Sequence, residues 1–452
     1  MADRSQAPSS TPPKSGARPG VLGSAYYKLF SASTISNLGD GIGGIAYPWL
    51  ASAVTRDPIL VALVVAVQRL PWLVFSLPAG VITDRYERRT LMVIANAARA
   101  VLTMGVALMV LREQGTLPSP AELEDASLIV STNVGLYVVI LMATLLLGTA
   151  EVLYDNTAQT IMPSLVHDDQ LEKANGRLWS TEQVMNTLAG PAAGAALIAI
   201  TFSAPFFVDA VTFAVSAALI YLLPRPQQNQ AESKDRKPWR QELSDGFRWL
   251  WDHDLLRPLA IILGLFNGLG VITWASFILY AQEVLRTSPI EFAILTTGGA
   301  AGGIIGGWTA SWTASKLGSG PSLSAALLVS GVTSLIIGMV SLWPVVWIMF
   351  AISSYFAVLW NVITVSLRQS IIPDHLLGRV NSVYRFFAWG SIPIGALIGG
   401  LIIAAGEQFT SRTMALRLPW FASGVGTLVL LMVATRILTT TRIDAARESS
   451  AS

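Results

Sequence analysis

A ten-residue stretch, Gly80-Val81-Ile82-Thr83-Asp84-Arg85-Tyr86-Glu87-Arg88-Arg89, sits between two long apolar runs. Five of its last seven residues are ionisable, so it cannot lie in hydrocarbon. The runs on either side are each long enough to cross a bilayer, which takes roughly 20 mostly apolar residues. The stretch is therefore a tight turn at a membrane surface. Its three arginines assign that surface to the cytoplasmic side, because short basic loops are retained there.

Apolar runs of this length recur from Tyr27 to Leu438. Of the 452 residues, 52% are hydrophobic and only 13% charged, where a soluble domain carries about 25%. The segments are continuously apolar rather than alternating, which disfavours a barrel. The fold class is an all-α polytopic membrane protein. A net charge of +2 gives nucleic-acid binding no support. The chain has no cysteine, which excludes disulfides, thiolate catalysis and cysteine metal sites. His167, His253 and His375 fall in separate predicted loops, so neither a metal site nor a cofactor is expected. Residues 1–25 are rich in Ser, Pro and Ala and have no apolar core. They read as a disordered cytoplasmic tail and not a signal peptide.

Twelve candidate spans follow, at about 27–54, 59–82, 90–111, 133–160, 178–200, 203–223, 256–283, 290–316, 321–342, 344–367, 379–404 and 414–438. Basic residues gather on one side, among them Arg85, Arg88, Arg89, Lys173, Arg225, Lys234, Arg368 and Arg379. The other side holds only Arg56, Arg112, Arg286, Arg412 and Arg417. Both termini are thus expected inside, in a multi-pass protein of the cell inner (plasma) membrane. The longest outer loop, Glu113–Thr132, is acidic. The two sets of six look like copies. Asn37 and then Asp57-Pro58 match Asn267 and then Ser288-Pro289, at offsets of 230 and 231. Later, Ile161-Met162-Pro163 matches Ile371-Ile372-Pro373 at an offset of 210, and the shortfall equals the length of the outer loop. The domains are then an N-terminal half at 26–224, a linker at 225–255, a C-terminal half at 256–438 and a tail at 439–452. Parallel repeats imply a central cavity between halves. In the linker, Trp239, Leu243, Phe247, Leu250 and Trp251 recur at helical spacing, as in an amphipathic helix at the interface.

The stretch from Gly80 to Arg89 resembles the loop between helices two and three of the major facilitator superfamily, G-x-x-x-D-R-x-x-R-R/K. Further pieces resemble its enterobactin-exporter and macrolide-efflux branch: Leu38-Gly39-Asp40, Pro163-Ser164-Leu165-Val166, Ala174-Asn175, Gly190-Pro191 and Leu377-Gly378-Arg379-Val380-Asn381. The resemblance covers nearly the whole chain. It implies two six-helix halves that rock about a central site, and a latch between the halves formed by Gly80, Asp84, Arg85, Arg88 and Arg89. In that latch Asp84 would sit near the positive N-terminus of the eleventh span, and Arg88 would reach Asp155. The plainer alternative is a retention signal only. The corresponding loop of the second half, near Ser311–Pro321, keeps only Lys316 and glycines.

Charges inside the spans need partners, water or protons. Asp40 and Arg69 fall at similar depth in the first two spans. Asp40 is either a cavity carboxylate that couples proton uptake to substrate release, or half of a structural Asp40–Arg69 pair. Glu151 and Asp155, one turn apart, oppose joint ionisation unless Arg88 or Arg99 intervenes. Glu182, Asn186 and Arg385 are further cavity candidates. Asp209 is expected to cap the start of the sixth span. Trp274, Phe277, Trp360 and Trp389 are candidates for a surface that takes a bulky apolar ligand, although most membrane tryptophans are anchors or packing. The glycine pairs 298–299, 302–303 and 306–307 suit close helix packing. No strand precedes them and no Lys-Ser/Thr follows, so they are not a phosphate loop.

These readings converge on a proton-coupled secondary transporter, expected as a monomer. It would export a bulky amphipathic small molecule, a drug or siderophore among the possibilities, with the proton gradient as energy source. Export follows from the branch resemblance alone, and an importer of a nutrient or lipid-like solute is the alternative. No cluster of nucleophile, base or metal ligands supports a membrane enzyme.

Overall fold

The computed structural model describes residues 22–125, 127–167, 170–224 and 239–451. The N-terminal half holds α1 (Ser24–Val54), α2 (Pro58–Arg85), α3 (Arg88–Glu113) and α4 (Val134–Leu165). It continues with α5 (Leu171–Val184), a π-helical turn (Met185–Ala189), α6 (Gly190–Ile200) and α7 (Ala204–Tyr221). The amphipathic helix α8 (Trp239–Asp252) leads into the C-terminal half: α9 (Leu256–Trp274), α10 (Phe277–Glu283), α11 (Pro289–Leu317) and α12 (Ser319–Met339). Then come α13 (Trp343–Ile371), α14 (Asp374–Gly406), α15 (Arg412–Ala415), α16 (Leu418–Ile437) and α17 (Thr440–Ala451). No strand occurs among the described residues.

Eleven segments of the described residues are long and apolar enough to cross a membrane. The first expected span, α1, falls short in composition because it carries Lys28, Asp40 and many Ser and Gly. Its 31 residues still reach about 46 Å, more than a bilayer core. The fifth expected span is α5, the π turn and α6 in series, and the seventh is α9 and α10. Residues 22–25 are not part of a tail: Leu22 is buried and Ser24 opens α1. Residues 1–21 and the linker segment 225–238 lie outside the described residues.

The duplicated dipeptides do the same work in each half. Asp57 caps α2, its Oδ1 accepting from the backbone N–H of Ile59 (2.8 Å) and Leu60 (3.2 Å), with Pro58 at the first helical position. Ser288 and Glu291 form a reciprocal capping box on α11, with Pro289 first. Both devices hold the start of a long helix at the same end of the bundle. That end also carries the 113–133 loop, and the opposite end carries the chain termini and α8.

Glycines set the closest helix crossings. On α11, Gly298, Gly302 and Gly306 face α13, where a Cβ on Gly302 would fall on the Ala351 carbonyl oxygen. Their partners Gly299 and Gly307 have open space instead. In the 298–299 and 306–307 pairs only one member is used for packing, while Gly303 also faces Ser354 of α13.

The apolar cores reveal how the halves meet. At the loop end one continuous core draws on both halves, joining Trp49, Leu50, Val64 and Phe206 to Phe277, Tyr280, Phe292 and Trp420. At the termini end the cores are separate. One holds Tyr26, Met92, Tyr154 and Ile220 of the first half, the other Leu250, Leu259, Trp360 and Tyr384 of the second. Among the described residues the halves share one buried core at the loop end and keep separate cores at the termini end.

Gly302→Leu should cost about 1–3 kcal/mol through forced separation of α11 from α13, read as a lower unfolding temperature of the purified protein. Gly307→Ala should leave that temperature within a degree or two.

Candidate functional site

The sealed end is locked by charge as well as by apolar contact. Glu283, fully buried at the end of α10, is gripped from both halves. Arg56 approaches it to 2.6 Å from the first half, and Arg412 to 2.6 Å from the second. Arg412 also pairs with Glu407 and donates to the Arg56 carbonyl oxygen at 2.8 Å. Arg56 spends its other N–H groups on Gln282 Oε1 (2.7 Å) and the Leu123 carbonyl (3.0 Å). Gln282 then donates to Ser52 Oγ at 2.9 Å. Two arginines and two carboxylates balance, so a costly burial of charge is neutralised on the spot. Burial pulls the Arg56 pKa below its usual value, with Glu283 opposing. Burial likewise pushes Glu407 up, against the pull of Arg412.

This gate was not foreseen. Arg56 and Arg412 counted in the sequence only as sparse outer charges, and Glu283, Glu407 and Gln282 were not singled out. The available signal was Glu283 itself, a carboxylate closing an apolar run directly before a loop. The 113–133 loop also takes part: Leu123 is buried in the shared core beneath its own carbonyl's bond to Arg56.

Asp40 lies inside the first half, paired with Arg99 of α3 and not with Arg69. Arg69 is exposed on α2. The reason is packing: α1 lies against α7, and α7 also lies against α3, which brings Arg99 to Asp40. Arg99 is 3% exposed, rests on the Phe213 ring at 3.9 Å, and donates to Ser36 Oγ at 3.3 Å. It stands in the field of Asp40, Glu151, Asp209 and Asp155. One guanidinium thus serves four carboxylates. Asp209 is no helix cap. It sits past the first turn of α7, buried against the space that Gly39 leaves on α1. Glu151, Asp155 and Glu182 are partly exposed. Beside this centre α1 crosses α6 where Gly41 meets Gly190, at the π turn, and Asn186 donates to Asn37 Oδ1 at 3.1 Å. A π turn beside buried charge is a recurrent feature of functional helices.

Two of the latch arginines, Arg88 and Arg89, are held within the first half. Arg88 donates to the Thr160 carbonyl at 2.8 Å and not to Asp155. Arg89 donates to the Leu223 carbonyl at 2.9 Å and covers the Tyr221 ring. Arg85 is exposed. The backbones of Gly80 and Asp84 lie in the last turns of α2, and their side-chain surroundings, like those of Arg385, fall outside the described residues.

The second half is hollow. A cavity of about 860 Å³ runs through it, lined by Trp274, Trp360 and Trp389 together with Asn267, Tyr384 and Arg368. Phe277 is absent from this lining. It is 1% exposed and packs in the sealed core against Phe292 and Trp420, so its role is structural. Trp389 also reaches across the halves, with its ring 6.0 Å from that of Trp72.

Comparison with known proteins agrees with this architecture. The family model of the Major Facilitator Superfamily matches residues 29–390. The chain belongs to the major facilitator superfamily. It is a multi-pass membrane transporter of that superfamily. Among curated relatives, the multidrug efflux pump Tap of Mycobacterium tuberculosis is 24% identical over 421 residues, 89% of this chain and 92% of that one. The enterobactin exporter EntS of Shigella boydii serotype 4 is 25% identical over 421 residues, 90% of each. Among solved structures, a bacterial homologue of the iron transporter ferroportin in the inward-facing state superposes with a TM-score of 0.69 at 16% identity, covering 92% of this chain and 98% of that one. The nucleoside transporter NupG superposes with 0.66 at 11% identity, covering 92% and 99%. At these identities the structures speak for the major facilitator fold alone.

Removing one carboxylate from the gate leaves buried positive charge unpaired, at about 3–5 kcal/mol. Glu283→Gln should therefore loosen the seal. Ala62 is fully buried in the seam against Gly400, and the chain has no native cysteine. An Ala62→Cys reporter should react with a maleimide at least about tenfold faster in the Glu283→Gln background. Equal rates in the two backgrounds would mean that the charges do not hold the gate.

Proposed function

We propose that this transporter is a proton-coupled exporter of bulky amphipathic molecules working by alternating access. The observation that carries the reading is the asymmetry of its cores: fused across the halves at one end, separate at the other. With both termini on the cytoplasmic side, as the loop charges favour, the splayed end opens to the cytoplasm and the Arg56–Glu283–Arg412 gate closes the outside. An exporter loads its cargo in such a state. The names of the relatives Tap and EntS favour outward transport.

In this proposal Asp40 and its neighbours carry the coupling. With Asp40 ionised, Arg99 is held and the first half keeps its present packing. A proton arriving at Asp40, or at the Glu151–Asp155 pair, weakens that hold and leaves Arg99 to the remaining carboxylates. Glu182, partly exposed on α5, offers a relay toward water. The opposite state, open outward, needs a new seal at the termini end. The Gly80–Arg89 turn supplies it, with Asp84 turned to the start of α14 and Arg88 exchanging the Thr160 carbonyl for Asp155. Arg88 and Arg89 each donate to a carbonyl of their own half in this state, as a released latch requires.

Reconstituted liposomes test this directly. An acidic compartment on the gate side should drive accumulation there of a panel of amphipathic dyes, and collapse of the pH gradient should abolish it. Asp40→Asn should lower gradient-driven flux at least about tenfold while leaving downhill exchange measurable. Asp84→Asn should slow both modes, because it acts on the conformational step. Flux that ignores the pH gradient would remove proton coupling, and uptake toward the termini side would favour the importer.

A further inference from the structure

The 113–133 loop has no counterpart in the second half, where residues 340–342 alone join α12 to α13. Both of its ends are tied to the first half. Ser203 Oγ donates to Gln114 Oε1 at 3.2 Å, the Thr55 and Thr132 hydroxyls stand 2.9 Å apart, and the Asn133 N–H donates to the Val54 carbonyl at 3.3 Å. Its middle rests on the other half. A 3-10 turn at Glu122–Glu124 packs on α10, and the fully buried Leu123 inserts into the core that both halves share. The charges of Glu291 and Arg286, both of the second half, act on Glu124. A loop rooted in one half and seated on the other spans the outer seam.

The turn is built to present Leu123. On one side Glu122 Oε2 accepts from the N–H of Ser119 (2.7 Å) and from its hydroxyl (2.9 Å). On the other, Asp125 Oδ1 accepts from the N–H and the hydroxyl of Ser127, at 2.9 and 2.7 Å. These local bonds shape the turn by itself, so docking it costs little further freedom. Charge at the tip does not account for the grip, since Glu291 repels Glu124 while Arg286 attracts it. Burial of the leucine side chain supplies the hold, and its backbone has a second task. The Leu123 carbonyl accepts from Nη2 of Arg56 at 3.0 Å, and the same Nη2 lies 2.6 Å from Glu283. A guanidinium nitrogen carries two hydrogens in a fixed plane, so one of them on Leu123 directs the other to the carboxylate.

We propose that this loop is a strap across the outer gate, with Leu123 as the positioning residue that aims Arg56 at Glu283, and that the strap leaves the second half each time the outside opens. Arg56 belongs to the first half and Glu283 to the second, so the halves cannot part at this end while Leu123 stays in their shared core. Withdrawing one leucine removes an apolar plug and frees the guanidinium in a single movement. The strap rests on the alternating-access part of the proposed function, but on neither the direction of transport nor its proton coupling.

Maleimide labelling of the Ala62→Cys reporter, without cargo or gradient, reads the gate alone. Leu123→Ala should speed labelling at least about tenfold, and Leu123→Met should keep it within about twofold of the parent. In an Arg56→Gln background Leu123→Ala should add at most about threefold, because the plug is then lost but there is no guanidinium left to aim. A full tenfold in that background would reduce Leu123 to apolar filling, and no effect of Leu123→Ala alone would remove the strap. Release is tested by joining the strap to the second half. Asp125 and Arg286 are both exposed, and the chain has no cysteine of its own. A short bis-maleimide should link Asp125→Cys to Arg286→Cys in the resting protein. The link should lower gradient-free dye exchange in liposomes at least about tenfold, while Asp125→Cys alone, treated alike, exchanges as before. Failure to link, or full exchange after linking, would overturn the strap. If the untreated protein exchanges no dye, the transport reading fails, and the labelling rates still uphold or sink the strap.

Discussion

A charge taken out of water must be neutralised where it stands, and this structure is organised around two places where that happens. At the seam, Glu283 is shared by arginines of both halves. In the first half, Asp40 is held by Arg99. A purely apolar seal at the seam would give similar stability, since buried ion networks rarely outdo well-packed hydrocarbon. What differs is the behaviour on opening. Each partner in the network regains hydration when water enters, so the gate's open state is not prohibitively high. A gate that has to open repeatedly benefits from that near balance. The surrounding apolar core, with Trp49 edge-on to Phe292 across the halves, supplies the fit that makes the closed state specific.

The division between a charged half and a hollow half follows from the same rule. In the first half Arg99 pairs with Asp40 and has Glu151, Asp155 and Asp209 close enough to act on its charge.

The twelve-span bundle was legible because hydrocarbon imposes a length and a composition on every segment that crosses it. Only α1 escapes that reading by composition, since Asp40 pairs with Arg99 and its flanking glycines allow close approach to α6 and α7. The dipeptides Asp57-Pro58 and Ser288-Pro289 were visible as marks of the repeat, and the structure adds that both start a helix. Partners were not legible. Arg69 lies at the right depth for Asp40, but depth says nothing of which helices touch: α1 packs on α6 and α7, and α7 also packs on α3 and brings Arg99 to Asp40. Phe277 resembled its neighbour Trp274 in sequence. The break at Ala275–Ser276 between α9 and α10 sends Trp274 to the chamber and Phe277 to the seal. The gate escaped notice because its members are scattered at 56, 283, 407 and 412, and only the closed seam brings them together.

In the proposed cycle α1 links the two charge centres mechanically. It carries Asp40 at its middle and reaches the gate through Ser52 and the adjoining Arg56. Gly41, between them, rests directly on Gly190 at the π turn, a contact without side chains on which two helices can slide or tilt. A shift at Asp40 is therefore passed along one rigid helix, past a bearing point, to a network that tolerates little displacement, because its ion pairs are short and buried. The proton site and the outer seal stand in this order along the chain for a physical reason: a continuous helix is the shortest stiff path between them.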